Sequence, residues 1–437
     1  MSHGPDLTKV IERAPHPAPS KAIPLLFGAI IAGAIGAYLA YGHGTERAQV
    51  NFLQNTVFWM GVSQGGFMLA VAMTLTMGRW GRALKRIAEA FGLMMPVLYV
   101  SLLTFLALGG IEVFPWVEEA RAHSLPHHKA VYLTEPFFFW RQVVGLGLLI
   151  FFDWKYLQAS WRPDIGMMAE RLGDKAPGWY KLFTKNWTNL DEEIEASEKR
   201  QRKWGAIVGV TYALVFSFVA IDLSMSLAPH WFANMFPAWF FMSSVWSGMV
   251  GIGIFSLLTG KWLHIDELLT PKVYHDLGKL IFAFCMFWGY TTFAQYLPIW
   301  YGNMTEETGF ILLRTSLDPW AGLSRVVVIL CFFMPWTLLL SRSMKKIRTS
   351  FLAVSCILFV GIWLERFLVM IPSVWMSDEL PIGLGEVLMP IGFGGVMVLL
   401  VMWALSKIPA APVTDKMFSP NDLEVHVHPS HGHHAAK

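Results

Sequence analysis

The sequence predicts an all-α, polytopic membrane protein with about ten transmembrane helices. Hydrophobic residues make up 54% of the chain and charged residues 15%, whereas a soluble domain carries about 25% charged residues. Ten separate stretches are long enough and apolar enough to cross a bilayer, which takes about 20 mostly apolar residues. The 20 tryptophans suit the aromatic belts at membrane–water interfaces. This much apolar surface requires lipid as its solvent.

The predicted spans follow one another along residues 22–406, which form one membrane domain. They cover about residues 22–42, 51–77, 87–112, 136–158, 204–228, 235–259, 276–299, 319–341, 349–372 and 383–406. Residues 1–21 are polar and Pro-rich, unlike a cleavable signal peptide; they are predicted to be a cytoplasmic tail. Residues 407–437 are predicted to be a His-rich cytoplasmic tail. The stretch "DEEIEASEKRQRKW" is predicted to continue as a helix into the fifth span.

The connections between spans alternate in charge. If the N-terminus lies inside, the inner segments hold 26 of the 34 basic residues. The outer connections hold only Arg47, Arg121, Lys129 and Arg314. Basic residues favour the cytoplasmic side of a membrane. We therefore predict that both termini are cytoplasmic.

An internal repeat relates spans two to five with spans six to nine. The fourth span opens with "EPFFFWRQVV" and the eighth with "DPWAGLSRVV", each placing an arginine shortly after a proline. The fifth and ninth spans each carry an acidic residue in the outer half. Membrane proteins are often built from such repeats. We predict two four-helix bundles, at about residues 51–228 and 235–372, flanked by spans one and ten.

Charged side chains inside spans are candidate functional residues, because each costs at least about 2.5 kcal/mol at the centre of a membrane. Arginine keeps its proton and serves as a counter-ion or hydrogen-bond donor. The candidates for a proton path are Asp222, Glu365, Asp276, Lys279, His275, Glu89 and Asp266. The candidates for a quinone pocket or counter-ions are Arg141, Arg325, Arg366 and His230. Asp276 and Lys279 are three residues apart, so they share a helix face and can pair.

No redox metal site is predicted in this chain. Its three cysteines lie in apolar runs, and neither CxxC nor CxxCH occurs, so it has no motif for an iron–sulfur cluster or a c-type haem. No histidine lies mid-span, which argues against a b-type haem between helices. The cysteines are expected to be small buried hydrophobic residues.

Several segments resemble the NrfD/PsrC-like, quinone-binding-type membrane subunits of alternative complex III. They are "DLSMSLAPHWFANMF", "HDLGKLIFAFCMFWGYTTFAQYLPIWYGN", "TEETGF" and "FWMGVSQGGFMLAVAMTLTMGRWGRALKRIAEAFGLMMPVL". The resemblance covers about residues 50–405. It implies a ten-helix subunit without a metal of its own, in a quinol:cytochrome c oxidoreductase of the bacterial inner membrane. It also implies menaquinol or another quinol, and lipids, as ligands.

The implied partners are a homologous sister membrane subunit, a periplasmic iron–sulfur protein, multihaem cytochrome c subunits, smaller membrane subunits and a terminal oxidase. No nucleic-acid partner is expected. The family is proposed to couple electron transfer to proton movement, with the sister subunit as an alternative place for quinol oxidation. Two other hypotheses stay open: a structural anchor without a quinone or proton role, and a secondary transporter.

Overall fold

A computed structural model describes residues 17–375, residue 377 and residues 379–418. Within these residues, ten helices are long and apolar enough to cross a membrane. In chain order they are α1 (Ala22–Gly42), α2 (Thr45–Leu75), α3 (Arg82–Ala107), α4 (Glu135–Lys175), α5 (Leu190–Leu227), α6 (Phe236–Thr259), α7 (Pro271–Gly302), α8 (Trp320–Leu340), α9 (Arg348–Ser373) and α10 (Leu384–Leu405). The prediction of an all-α polytopic membrane protein is confirmed.

Several helices are longer than the apolar stretches that predicted them. Helix α4 continues to Lys175 and α5 begins at Leu190, so both extend well beyond the apolar part. The extension of α5 starts at Asn189, whose side chain accepts a hydrogen bond from the Glu192 amide at 3.0 Å, as an N-cap does. Hydropathy detects only the apolar part of a helix, so it misses the polar extension of α4. The helical extension of α5 through "DEEIEASEKRQRKW" agrees with the prediction.

The two four-helix bundles have the same order of neighbours. In the first bundle α2 packs against α3 and α5, and α4 packs against the same two helices. In the second bundle α6 packs against α7 and α9, and α8 does the same. The bundles meet where α6 contacts α2 and α5. Helices α1 and α10 pack mainly against each other and also contact α2.

The contact between α1 and α10 depends on glycine. A Cβ built on Gly33 would lie 2.4 Å from the Gly392 Cα, and one built on Gly392 would lie 2.6 Å from the Gly33 Cα. Small residues allow helix backbones to approach closely in membranes, where packing drives helix association. The outer pair is therefore one unit held by a backbone crossing.

The crossing between the bundles is equally close. A Cβ on Gly65 of α2 would lie 1.9 Å from the Ser244 carbonyl oxygen of α6. One on Gly248 would lie 2.0 Å from the Gly66 amide nitrogen. Because these neighbours are backbone atoms, no side-chain rotation can make room.

We expect Gly65→Ala to lower the free energy of unfolding by about 1–3 kcal/mol, since the added methyl group forces the two helices apart. Gly209→Ala is the matched control, because a Cβ on Gly209 of α5 meets nothing within 4 Å. Alanine there is expected to be neutral or stabilising by up to about 1 kcal/mol. Thermal unfolding in detergent measures both variants. Equal effects of the two substitutions would contradict a close crossing.

Among the described residues, two spans are interrupted between their ends by a turn that is not α-helical. Helix α3 contains a 3₁₀ turn at Gly92–Met94, and α8 contains a π-helical turn at Ile329–Phe333. The thiol of Cys285 donates to the Cys331 carbonyl in that turn, at 3.3 Å. The two irregular turns lie in the second helix of one bundle and the third helix of the other. They are therefore not the matched pair of broken helices that transporters use.

Candidate functional site

Buried charge lies at both ends of the helix bundles. One end contains both described chain ends and the segments between α2 and α3, α4 and α5, α6 and α7, and α8 and α9; we call it the basic end. Residue 17 lies there, because its carbonyl accepts a hydrogen bond from Trp262 at 3.0 Å. The other end is called the opposite end.

An ion-pair network fills the basic end of the first bundle. The Arg86 guanidinium donates to Glu89 Oε2 at 2.5 Å and to the Asp164 carboxylate, and all three side chains are buried. Glu89 also accepts hydrogen bonds from the Ser160 hydroxyl at 2.6 Å and the Trp161 indole at 2.9 Å. Ion pairing and hydrogen bonding offset much of the cost of burying these charges, although Arg86 Nε has no hydrogen bond among the described residues.

The chain after α10 folds back onto this network. Asp415 Oδ2 accepts hydrogen bonds from Arg82 at 2.6 Å and Lys85 at 2.9 Å. The Thr414 amide and hydroxyl donate to Asp164 Oδ1, at 3.0 and 2.6 Å. The network thus balances three cations with three carboxylates. Part of the predicted C-terminal tail is therefore packed structure; the stretch "HVHPSHGHHAAK" lies outside the described residues.

Attachment of this C-terminal segment depends on the ionisation of Asp415. Burial alone raises the pKa of a carboxyl, but Lys85 and Arg82 outweigh it and hold the pKa of Asp415 at about 2. A carboxyl with a depressed pKa contributes stability above its unfolded pKa of about 3.9, and that stability is lost as the pH falls through the folded value. We expect the C-terminal segment to detach between about pH 4 and pH 2.

Asp415→Asn should release the segment at neutral pH, which limited proteolysis or hydrogen exchange of residues 406–418 would detect. Glu195→Gln is the matched control. Glu195 pairs with Lys416 of the same segment at 3.5 Å, but both side chains are exposed. Exposed pairs contribute about 0–1 kcal/mol, so this variant should keep the segment bound. Release by both variants or by neither would contradict the account.

A single carboxyl lies deeper in the first bundle. Asp153 of α4 is 5% exposed, and its Oδ1 accepts a hydrogen bond from Gln64 at 3.1 Å. Asp153 Oδ2 and Gln64 Oε1 are both buried and have no partner among the described residues. Asp153 has no cationic partner among the described residues, so a proton on its Oδ2 would neutralise an otherwise unpaired charge. The arrangement suits a group that takes up and releases a proton.

The ion pair at the opposite end of the first bundle is saturated. Asp222 accepts four hydrogen bonds: two from Arg141 at 3.0 Å, one from Gln142 at 2.7 Å and one from Tyr132 at 2.9 Å. Burial and the Asp222 carboxylate raise the pKa of the Tyr132 phenol, so the phenol keeps the proton that it donates. This geometry matches a pair that fixes helix packing rather than a proton carrier.

A small cavity lies beside this pair. Its volume is about 220 Å³, and its walls include Tyr132, Ser226 and Trp231. The indole N–H of Trp231 is buried without an acceptor among the described residues. His230 lies outside this cavity: it is 62% exposed and 3.3 Å from Glu119. The cavity therefore lies between the Asp222 pair and a tryptophan at the same end of the bundle.

The second bundle encloses its own buried acidic group. Glu365 and Arg366 are both about 2% exposed, and Arg366 Nη1 lies 3.3 Å from Glu365 Oε1. Arg366 also donates to the Phe240 carbonyl at 3.1 Å and to the Ser243 hydroxyl at 2.5 Å. Glu365 Oε2 makes no close hydrogen bond among the described residues, and neither does the Trp288 indole N–H, which lies near enough to act as a weak donor to this carboxylate. Glu365 thus resembles Asp153 in having one oxygen without a close hydrogen bond.

Arg325 does not match Arg141, although the repeat aligns them. It lies exposed on the surface of α8, and among the described residues it donates only to the Ala321 carbonyl of its own helix, at 3.2 Å. Arg325 was a candidate for the quinone pocket or a counter-ion, and it forms no ion pair with a carboxylate among the described residues. Arg366, adjacent to Glu365 in sequence, is the counter-ion instead. The two bundles therefore share their helix arrangement, but the arginine that pairs with the buried carboxylate comes from a different helix in each.

The predicted residues at the basic end of the second bundle form surface pairs. Lys279 Nζ lies 2.7 Å from Asp276 Oδ1, and Lys279 is 58% exposed. His275 Nδ1 lies 3.7 Å from the same carboxylate. Asp266 pairs with Arg348 at 2.6 Å, with both side chains more than one-third exposed. These groups lie at the surface and are not enclosed with Glu365.

Sequence reasoning missed most of the buried network. Arg82, Lys85, Arg86, Asp164 and Asp415 all fall in segments assigned to the aqueous side, where charge is expected. Only the folding back of the C-terminal segment and the polar extension of α4 bury them. Asp153 carried a usable signal, since it is the one acidic residue within the mostly apolar stretch "LLIFFDWKYL".

No protein-family model and no curated protein sequence matches the chain. Among the described residues, no group of three or more His, Cys, Asp or Glu side chains is placed to hold a metal ion.

Proposed function

We propose that this integral membrane protein is a subunit of a quinol-oxidising electron-transfer complex and that its two bundles conduct protons. The segments quoted above resemble the NrfD/PsrC-like subunits of alternative complex III, which is the source of the quinol part of the proposal. The described geometry supports the proton part. Both the quinol role and the proton role require an integral membrane protein, and the described part of the chain has ten helices that are long and apolar enough to cross a membrane.

The observation that carries the proposal is one buried carboxyl with an open oxygen in each bundle. Asp153 and Glu365 are 5% and 2% exposed, and each has an oxygen without a partner among the described residues. Buried polar atoms are nearly always hydrogen-bonded, so such exceptions require an explanation. Ionisable groups inside membrane spans commonly belong to proton relays. Exchange of a proton at these two oxygens accounts for both exceptions.

Proton conduction also requires access from water on each side. In the first bundle, Asp153 lies between the network around Glu89 at the basic end and the Asp222 pair at the opposite end. The C-terminal segment covers the basic-end network, so its position controls how water reaches Glu89. In the second bundle, the Asp276 and Lys279 pair lies at the basic-end surface and Glu365 lies inside. Each bundle thus contains titratable groups at more than one depth.

Quinol oxidation releases two electrons and two protons, and the electrons must pass to a redox partner. The proposed partners are the periplasmic iron–sulfur protein and multihaem cytochromes c, with a sister membrane subunit, smaller membrane subunits and a terminal oxidase. The cavity beside Tyr132 and Trp231 is the proposed place for a quinol ring in this chain. The proposed location is the bacterial inner membrane with both termini in the cytoplasm.

Purification from the native membrane in mild detergent tests this proposal. A haem spectrum would be recorded, and co-purifying chains identified by mass spectrometry. Multihaem cytochrome c and an iron–sulfur subunit in fixed proportion are expected. Isolation as a lone chain without a haem signal would contradict membership of the complex and direct attention to uptake assays for transport.

A structural anchor is the second candidate function, because some of the buried carboxylates already have all their hydrogen bonds. Asp222 accepts four hydrogen bonds, which is what a purely structural pair requires. The anchor hypothesis predicts that Asp153 and Glu365 can be neutralised without functional cost. The proton hypothesis predicts the reverse, so the same variants distinguish the two.

A further inference from the structure

A large apolar groove runs between the α1/α10 pair and the two bundles, near the basic end. Its volume is about 680 Å³, within the range of about 300–1,000 Å³ typical of ligand sites. Its floor includes Trp59, Phe255 and Val401, which are 8%, 6% and 1% exposed. Its rim includes Leu25, Leu258 and Val360, which are 73%, 66% and 52% exposed. A buried floor with an exposed apolar rim describes a groove open sideways to lipid.

The lining favours a hydrocarbon chain over a polar ring. Thr259 is one of its few polar side chains, and its hydroxyl donates to the Phe255 carbonyl of the same helix at 2.7 Å. An empty apolar groove in the membrane would forfeit dispersion contacts along its whole lining. A flexible acyl chain from the bilayer restores those contacts without needing a hydrogen bond.

The basic end of the groove carries positive charge. Lys21 directly precedes Ala22, and Lys261 follows Thr259 by two residues; Ala22 and Thr259 both line the groove. The indole of Trp262 holds the carbonyl of residue 17 at 3.0 Å, which brings these two chain segments together. Both lysines are exposed, and neither forms an ion pair with a carboxylate of the described residues.

Carboxylates near this mouth do not cancel the charge. Asp266 lies close to Gly260, but Arg348 engages it at 2.6 Å. Two exposed lysines therefore flank the groove at the depth where a lipid head group would lie. Basic residues beside a membrane surface attract anionic lipids.

We propose that the groove binds an acyl chain of an anionic phospholipid and that Lys21 and Lys261 hold its head group. This proposal is independent of the quinol function. In this proposal the lipid fills the space between the α1/α10 pair and the two bundles, so it contributes to the packing of the helices. A quinone would lack a partner for its carbonyls along most of this lining, so it is the alternative to be tested.

Native mass spectrometry of the purified full-length protein tests head-group selectivity. The protein would be exchanged into micelles containing equal amounts of phosphatidylglycerol and phosphatidylcholine. One retained phosphatidylglycerol per chain is expected. Lys21→Gln and Lys261→Gln should each weaken its retention about fivefold, whereas Lys181→Gln and Lys185→Gln, at exposed positions of the same end, should not. Equal retention of both lipids, or a retained quinone instead, would overturn the proposal.

A second test addresses the groove itself. Val398 lines it, so Val398→Phe should reduce lipid retention by occupying part of the space. Val210→Phe on the 64% exposed surface of α5 is the matched control. Cys356 also lines the groove and is the one exposed cysteine among the three described. Bound lipid should protect it from an apolar maleimide, and labelling at the same rate with and without phosphatidylglycerol would contradict occupancy.

Discussion

Asp222→Asn is expected to lower the free energy of unfolding by about 3–5 kcal/mol, because it removes one partner of a buried ion pair. Asp222 is fully buried and accepts four hydrogen bonds from Arg141, Gln142 and Tyr132. Asparagine places an NH₂ group where one acceptor oxygen stood, opposite donors that then have no acceptor. Thermal unfolding in detergent should show the loss as a clear decrease in midpoint.

Asp153→Asn is the matched control for that stability measurement. It makes the same chemical change in the same bundle, but at a carboxyl that has only Gln64 as a partner. The asparagine NH₂ group can donate toward the unpaired Gln64 Oε1, so the free energy of unfolding should change by less than about 1 kcal/mol. Equal destabilisation by the two substitutions would show that the contrast between saturated and open carboxyls is wrong.

Asp153→Asn and Glu365→Gln are expected to slow proton transfer at least tenfold, since a positioned acid or base typically contributes about 10²–10⁴-fold. Each substitution removes the titrating group from its bundle and keeps its shape. The rate of proton release during quinol turnover measures this slowing, and infrared difference spectra identify the carboxyls that titrate. The carboxylic acid C=O band that appears or disappears in the wild type should lose intensity in each variant.

Glu386→Gln is the matched control for Glu365→Gln. Glu386 is also buried, but its oxygens are taken by Arg47 at 2.6 Å and the Gly383 amide at 2.8 Å. Its replacement should cost stability and leave proton transfer unchanged among folded molecules. If Glu386→Gln and Glu365→Gln slow turnover equally, the open oxygen of Glu365 has no special role.

The fold could be predicted because insertion of a helix into a membrane depends on the composition of short, continuous segments of sequence. Apolar length, interfacial aromatics and the distribution of basic residues predict ten spans, and the repeat predicts two bundles. The polar extension of α4 was not predicted, because the helix reaches Lys175 through residues that are too polar for hydropathy to detect. The close crossing at Gly65 was also missed, since a glycine in an apolar run does not show which helix it meets.

The candidate site was predictable only where a charge stands within an apolar run. Asp222, Glu365 and Arg366 are of this kind, and they are buried. Arg325 has the same sequence signal and lies on the outside of α8, because the side of a helix that faces its bundle depends on packing. Asp415 is the converse case: its role depends on a chain reversal after α10 that brings it to Lys85 and Arg82.

The number of protons moved per electron tests the central claim most directly. It would be measured in sealed vesicles containing the native complex, with the wild-type chain and with the Asp153→Asn/Glu365→Gln double variant. Quinol oxidation and pH change would be recorded together, with assembly checked by the haem spectrum. We predict a lower ratio of protons to electrons, or a lower turnover rate, in the assembled double variant. An unchanged ratio at an unchanged rate would contradict a proton-conducting role for these bundles.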